Sequence, residues 1–263
     1  MKWIALRQFS IAAIFSLGST SVMAQQVSIN VLAAGSLREA LNEIRSNYEK
    51  ASNAKVTTSY GPSGKLRSQI ESGRPMDVFA SASMEHTDKL LNMKMLDESR
   101  AFASNDLCVV SRAGLNLTEE NLLSVLSDAK VRLATSTPVS DPMGDYTWQF
   151  FRKADSVKPG TYQALDAKAL KLSGAAAPMP GEKLPYVTAF EDNKADVYVM
   201  YCTNAVSTKA SVPSVGIFRI PDSLNVRSAY GIGANPTSDE GKKFVRYVAG
   251  PEGQAVFRKY GFN

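Results

Sequence analysis

Two serines sit where the chain leaves an apolar run and begins a helical pattern. Ser36 follows Gly35 after the run Val27, Ile29, Val31 and Leu32, and Ser63 lies inside the turn Gly61-Pro62-Ser63-Gly64. A hydroxyl beside the unpaired N–H groups of a helix start is suited to holding an anion through neutral donors. Ser36 and Glu39 also have the spacing of a capping box, in which the hydroxyl would serve only its own helix. Ser63 lacks that partner, because Leu66 stands three residues on. Covalent chemistry is poorly supported. Ser59 to Leu66 has the outline of a P-loop, but Ser59 replaces its first glycine and Leu66 its metal-binding hydroxyl. A Ser63–Lys65 pair lacks a partner motif, no G-x-S-x-G elbow is present, and the single histidine, His86, reads as a solvated helix residue.

The elements that must carry these residues alternate. Strands are predicted at Val27 to Leu32, Lys55 to Tyr60, Asp77 to Ala80, Asp106 to Ser111, Val131 to Thr135, Val197 to Tyr201, Ser214 to Ile220 and Ser228 to Ala234. Helical periodicity follows Ser36 through Leu37, Ala40, Leu41, Ile44 and Tyr48, and recurs around Leu66 and Ile70, over Met84 to Met95, after Thr118 and over Tyr146 to Ala154. Thr237 to Glu240 has capping-box spacing ahead of a last helix that ends at Gly250-Pro251. Gly174 to Pro185, with three prolines and two glycines, is the clearest loop. The alternation implies an α/β fold with largely parallel sheets, whose ligands sit at the carboxyl ends of strands.

Residues 1–24 read as a signal peptide: Lys2 and Arg7 are basic, Phe9 to Val22 is mainly apolar, and Val22-Met23-Ala24 fits cleavage after Ala24. The expected product is an exported, periplasmic protein, and no cysteine at the cleavage point invites a lipid anchor. Removing Lys2 and Arg7 lowers the formal net charge from +5 to +3, and no basic run interleaved with aromatics marks a nucleic-acid surface. Cys108 and Cys202 are the only cysteines, which in an exported chain favours a disulfide. One distant histidine gives no metal site with them.

In order along the chain, Ala33-Ala34-Gly35-Ser36-Leu37, Ser63-Gly64-Lys65-Leu66 with Gln69-Ile70-Glu71, and Asp77-Val78-Phe79-Ala80-Ser81-Ala82 resemble successive motifs of the periplasmic molybdate-binding proteins of ABC transporters. The likeness continues through Leu107 to Val110, Pro142-Met143-Gly144, the Tyr201 region, Gly250-Pro251-Glu252 and Tyr260-Gly261-Phe262. The resemblance implies a two-lobed type II periplasmic binding fold, with a ligand cleft between lobes joined by two crossing strands. Lobe I is expected at 25–105 plus 232–263 and lobe II at 106–231. It further implies a monomer without cofactor or catalytic residues that captures molybdate or tungstate, with no metal other than that of the oxyanion, and delivers it to a membrane permease. The positions matching the family's donors are Ser36, Ser63, Met143 through its backbone, and Tyr201. The family's remaining backbone donor aligns near Lys183.

Some features depart from that pattern. Asp141 and Asp145 flank Met143, and a carboxylate beside a dianion costs affinity unless it turns to solvent. Lys183 brings a positive charge to a site that the family keeps neutral. These leave two rival readings: a binding protein for a sulfate-like or small organic anion, and, more remotely, an exported hydrolase lacking a visible base. Tyr198 and Tyr201 as iron-binding phenolates are disfavoured, since residues three apart on a strand face opposite ways.

Overall fold

The computed structural model describes residues 26–179 and 181–263. The expected signal peptide and its cleavage site lie outside them. Two five-stranded sheets form the frame, each covered by helices. The first is built from β1 (Val27–Ala34), β2 (Ala54–Gly61), β3 (Val78–Ser81), β4 (Arg100–Asn105) and β10 (Ser228–Ala234), in the order β2-β1-β3-β10-β4. The second uses β5 (Leu107–Ser111), β6 (Leu133–Ser136), β7 (Leu170–Ser173), β8 (Val197–Tyr201) and β9 (Gly216–Arg219), in the order β7-β6-β8-β5-β9. This is the expected two-lobed α/β architecture.

The sheets are mixed rather than largely parallel. In each, three strands linked through helices run parallel, β2-β1-β3 and β7-β6-β8. The remaining pairings, β10 with β3 and β4, and β5 with β8 and β9, are antiparallel. The cause is connectivity. The chain leaves the first sheet through Asp106, between β4 and β5, and re-enters it at β10, so the crossing strands run against the βαβ direction. All of β10, from Ser228 to Ala234, lies in the first sheet. Asp106, 3% exposed, ties both crossings together by pairing with Arg219 and with Arg227 at 3.0 Å.

Helices α1 (Arg38–Ala51), α2 (Ser63–Glu71) and α3 (Met84–Asn92) fill the first lobe's connections, and α9 (Asp239–Ala249) and α10 (Pro251–Lys259) close the chain. In the second lobe stand α4 (Leu122–Ser127), α5 (Pro142–Val157), α6 (Thr161–Lys168), α7 (Pro185–Glu191) and α8 (Cys202–Ser211). Strand β1 is covered on both faces toward its carboxyl end, which explains the apolar run from Val31 to Ala34. Ile29, Val31 and Ala33 join the cluster that includes Leu41, Ile44 and Phe244, while Leu32 packs with Leu66, Ile70, Phe79 and Leu90. Pro142 begins α5 four residues before the predicted start, because Asp141 caps it and proline is pre-shaped for a first helical turn. Pro251 likewise starts α10 instead of merely ending α9.

Candidate functional site

The carboxyl end of β1 delivers Gly35 to Leu37 into a short 3-10 turn, and only then does α1 begin. That extra turn removes Ser36 from capping geometry. Its hydroxyl meets the Tyr230 hydroxyl at 2.9 Å, and the capping box with Glu39 does not form. From the second lobe, β8 ends at Tyr201, which is 1% exposed. Its phenol oxygen has no partner of hydrogen-bonding geometry, because the neighbouring Ser228 hydroxyl donates instead to the Asn105 carbonyl at 3.1 Å. Burial first, then the neighbouring Tyr230 and Asp141, push this phenol well above its ordinary pKa, so it is a neutral donor. The Tyr201 N–H donates to the Met143 sulfur at 3.3 Å, seating the start of α5 against the end of β8.

A cavity of about 70 Å³ lies between the lobes, and Ser36, Met143 and Tyr201 all line it. Gly61 and Pro62 form part of its first-lobe wall. Ser63 is buried just behind them, and its hydroxyl accepts from the Ala82 N–H at 3.1 Å. Lys183 is exposed and pairs with Glu191 at 2.8 Å; it borders the adjoining groove beneath Ala175 to Pro178, while its neighbours Leu184 and Pro185 reach the cavity wall. The structure thus brings three of the five residues to one cavity, keeps Ser63 one layer behind, and directs the Lys183 side chain elsewhere.

Asp141 does not turn to solvent. Its half-buried carboxyl lines the cavity, accepting from the Ser136 hydroxyl at 2.5 Å and the Met143 N–H at 3.3 Å. Burial pushes its pKa up to about 6 against the lowering effect of those two bonds. Gly174, at φ +82°, makes this packing possible: a Cβ there would lie 2.2 Å from the Ser136 hydroxyl oxygen. Asp145 instead accepts from the Val139 N–H at 2.7 Å. Sequence reasoning missed Tyr230, Arg38, Tyr186 and Asn204. Arg38 lines the cavity with its guanidinium over the Tyr60 ring, 4.5 Å from the centroid. Tyr230 had no local signal, because its partner Ser36 is 194 residues away.

The lobes touch directly beside the cavity. The first N–H groups of α2, from Gly64 and Lys65, donate across the cleft to the Ser140 carbonyl at 3.0 and 3.3 Å. Gly64 is required there, since a Cβ would lie 2.3 Å from the Val139 carbonyl oxygen. At the back of the cleft the disulfide Cys108–Cys202 fixes the residue after Tyr201 to β5.

Residues 29–263 match the family model described as bacterial extracellular solute-binding protein. The chain belongs to that family. Among relatives of this solute-binding protein, the molybdate-binding protein ModA of Escherichia coli is 28% identical over 272 residues, covering 99% of this chain and 98% of the relative. An uncharacterised protein of Pasteurella multocida is 31% identical over 209 residues, 78% of this chain and 86% of its own. The periplasmic molybdate-binding protein of Azotobacter vinelandii shares the fold, with a TM-score of 0.72 at 18% identity over 89% of this chain and 98% of that one. The type II periplasmic binding architecture and the likeness to molybdate-binding proteins expected from sequence are therefore both found. Among the described residues no helix is long and apolar enough to cross a membrane.

Proposed function

We propose that the cavity binds a tetrahedral oxyanion, molybdate or tungstate, which this protein captures in the periplasm as a monomer and hands to an ABC permease. The observation that carries this reading is the Tyr201 hydroxyl: buried, neutral and unpartnered, in a cavity that Ser36 and the start of α5 also line. A buried polar group without a partner costs stability, and an anion oxygen would satisfy it. The small volume favours a ligand of a few heavy atoms over the larger molecules that fill pockets of about 300 to 1,000 Å³. The E. coli relative is named for molybdate binding, which agrees with this ligand class.

In this reading Ser36, Tyr201 and the Met143 N–H contact the oxyanion. Ser63 reorients from Ala82 to join them, and Lys183 stays at the rim. Lobe I comprises 26–105 with 228–263, and lobe II the segment between. A second reading, a different anion such as sulfate or a small organic anion, draws on Arg38 and Asp141, which give the cavity one cation and one carboxyl. Calorimetric titration of ligand-stripped mature protein separates the readings. One-to-one binding of molybdate and tungstate, with none of sulfate, is expected; silence from molybdate, tungstate, sulfate and phosphate in a folded protein would overturn the tetrahedral-oxyanion assignment. The same titrations check for turnover, which a binding protein does not show.

A further inference from the structure

Asp141 and the ligand compete for one donor. The carboxyl holds the Met143 N–H at 3.3 Å, the same N–H that the oxyanion reading assigns to the ligand. An anion that takes it leaves Asp141 with the Ser136 hydroxyl alone, beside new negative charge in a low-dielectric cavity. One proton resolves the conflict, because a protonated carboxyl is a donor where the carboxylate was a rival acceptor. We propose that the oxyanion binds together with one proton, taken from solvent by Asp141 and presented as an O–H donor to a ligand oxygen, which makes Asp141 a determinant of specificity. This rests on the oxyanion reading of the cavity. In the binding step an O–H bond forms at Asp141, and the complex gains the anion and one proton.

The surroundings leave Asp141 as the group that changes charge. On its own helix Asp145, held by the Val139 N–H at 2.7 Å, is itself raised by burial and adds a like charge when ionised, but it does not line the cavity. From the packed elements come the phenols of Tyr186, Tyr198, Tyr201 and Tyr230, all raised chiefly by burial and so neutral. Across the cavity stand Tyr60, pushed up to about 12, and Arg38. Among the described residues lining the cavity, Arg38 is the single cation and Asp141 the single acid. The lining therefore carries no net formal charge when Asp141 is ionised and one positive charge when it is protonated, the better match to a dianion. Burial already raises this carboxyl to about 6, and an adjacent anion raises it further.

The test is calorimetric titration of the mature protein with molybdate between about pH 6.5 and 8.5, in buffers of different ionisation enthalpy, which counts protons taken up. The expected result is uptake approaching one proton per anion and an affinity that falls up to about tenfold per pH unit across this range. Asp141→Asn keeps a neutral donor and a good helix cap, and is expected to bind without proton uptake and with a flat pH profile. Molybdate binding to the unsubstituted protein without proton uptake overturns the role of Asp141 and leaves the oxyanion reading standing. Equal uptake in the Asn variant also overturns it. Failure of the unsubstituted protein to bind molybdate or tungstate at any pH overturns the oxyanion reading, and this inference with it.

Discussion

At the scale of single residues, the buried, unpartnered Tyr201 hydroxyl is a cost in the free protein that the proposed anion would offset. Tyr201→Phe removes a buried hydroxyl without a partner, so the free protein is expected to hold its stability or gain about 1 kcal/mol. The same change is expected to weaken molybdate binding by about 1.5 to 3 kcal/mol, roughly ten- to a hundredfold. Denaturant melts and calorimetry, run side by side, read the two opposite effects; equal losses in both would make Tyr201 a structural residue only. Ser36→Ala is expected to weaken binding to a similar degree. His86 corrects the sequence reading. It is 5% exposed, both ring nitrogens lack partners, and burial with Arg67 nearby lowers its pKa to about 4. The unfolded state therefore binds the extra proton between about pH 4 and 6.5. His86 favours the native state fully above that window, and the benefit is lost as pH falls through it, by at most about 3 kcal/mol. Asp141 acts in the opposite sense, its raised pKa favouring the native state at low pH. His86→Gln should thus flatten the acid loss in pH-dependent denaturant melts.

At the scale of elements, what sequence could reveal was whatever short-range pattern encodes. The strand-turn-helix unit at Ser36 was legible because the carboxyl half of β1 is buried on both faces and is therefore written as the apolar run Val31 to Ala34 ahead of Gly35. The 3-10 turn between β1 and α1 was not, since Ser36 and Glu39 have capping-box spacing whether or not the box forms. Strands such as β4 and β7, part-exposed and only six and four residues long, also left no readable signal. The packing of Ser36 on Tyr230 is a fact of tertiary structure. At the junction of α2 with the second lobe, Gly64→Ala is expected to prop the lobes apart while leaving each folded, because the added methyl meets backbone. Losing the two cross-cleft bonds at about 1 kcal/mol each should raise the molybdate dissociation constant about thirtyfold. Small-angle scattering should show a larger radius of gyration for the free variant, and an unchanged radius and affinity would refute the closure role.

At the scale of the whole molecule, two features hold the crossings in register: Asp106 between Arg219 and Arg227, and the disulfide between β5 and the start of α8. The cysteines are 94 residues apart, so the chain-entropy account assigns about 4 to 5 kcal/mol to the bridge. Reduction should lower the denaturant midpoint correspondingly. Because Cys202 follows Tyr201 directly, reduction should also weaken anion binding; an affinity unchanged by reductant would mean that β8 alone positions the phenol. The Ser140 contact, finally, bears on time as well as affinity. It is made by uncharged peptide groups, so salt screens it little, whereas capture of an anion by a basic protein is slowed by salt. Ionic strength should therefore change how quickly this protein loads and leave its residence time nearly constant, which gives a transporter cargo delivered at a rate set by supply and released on a clock of its own.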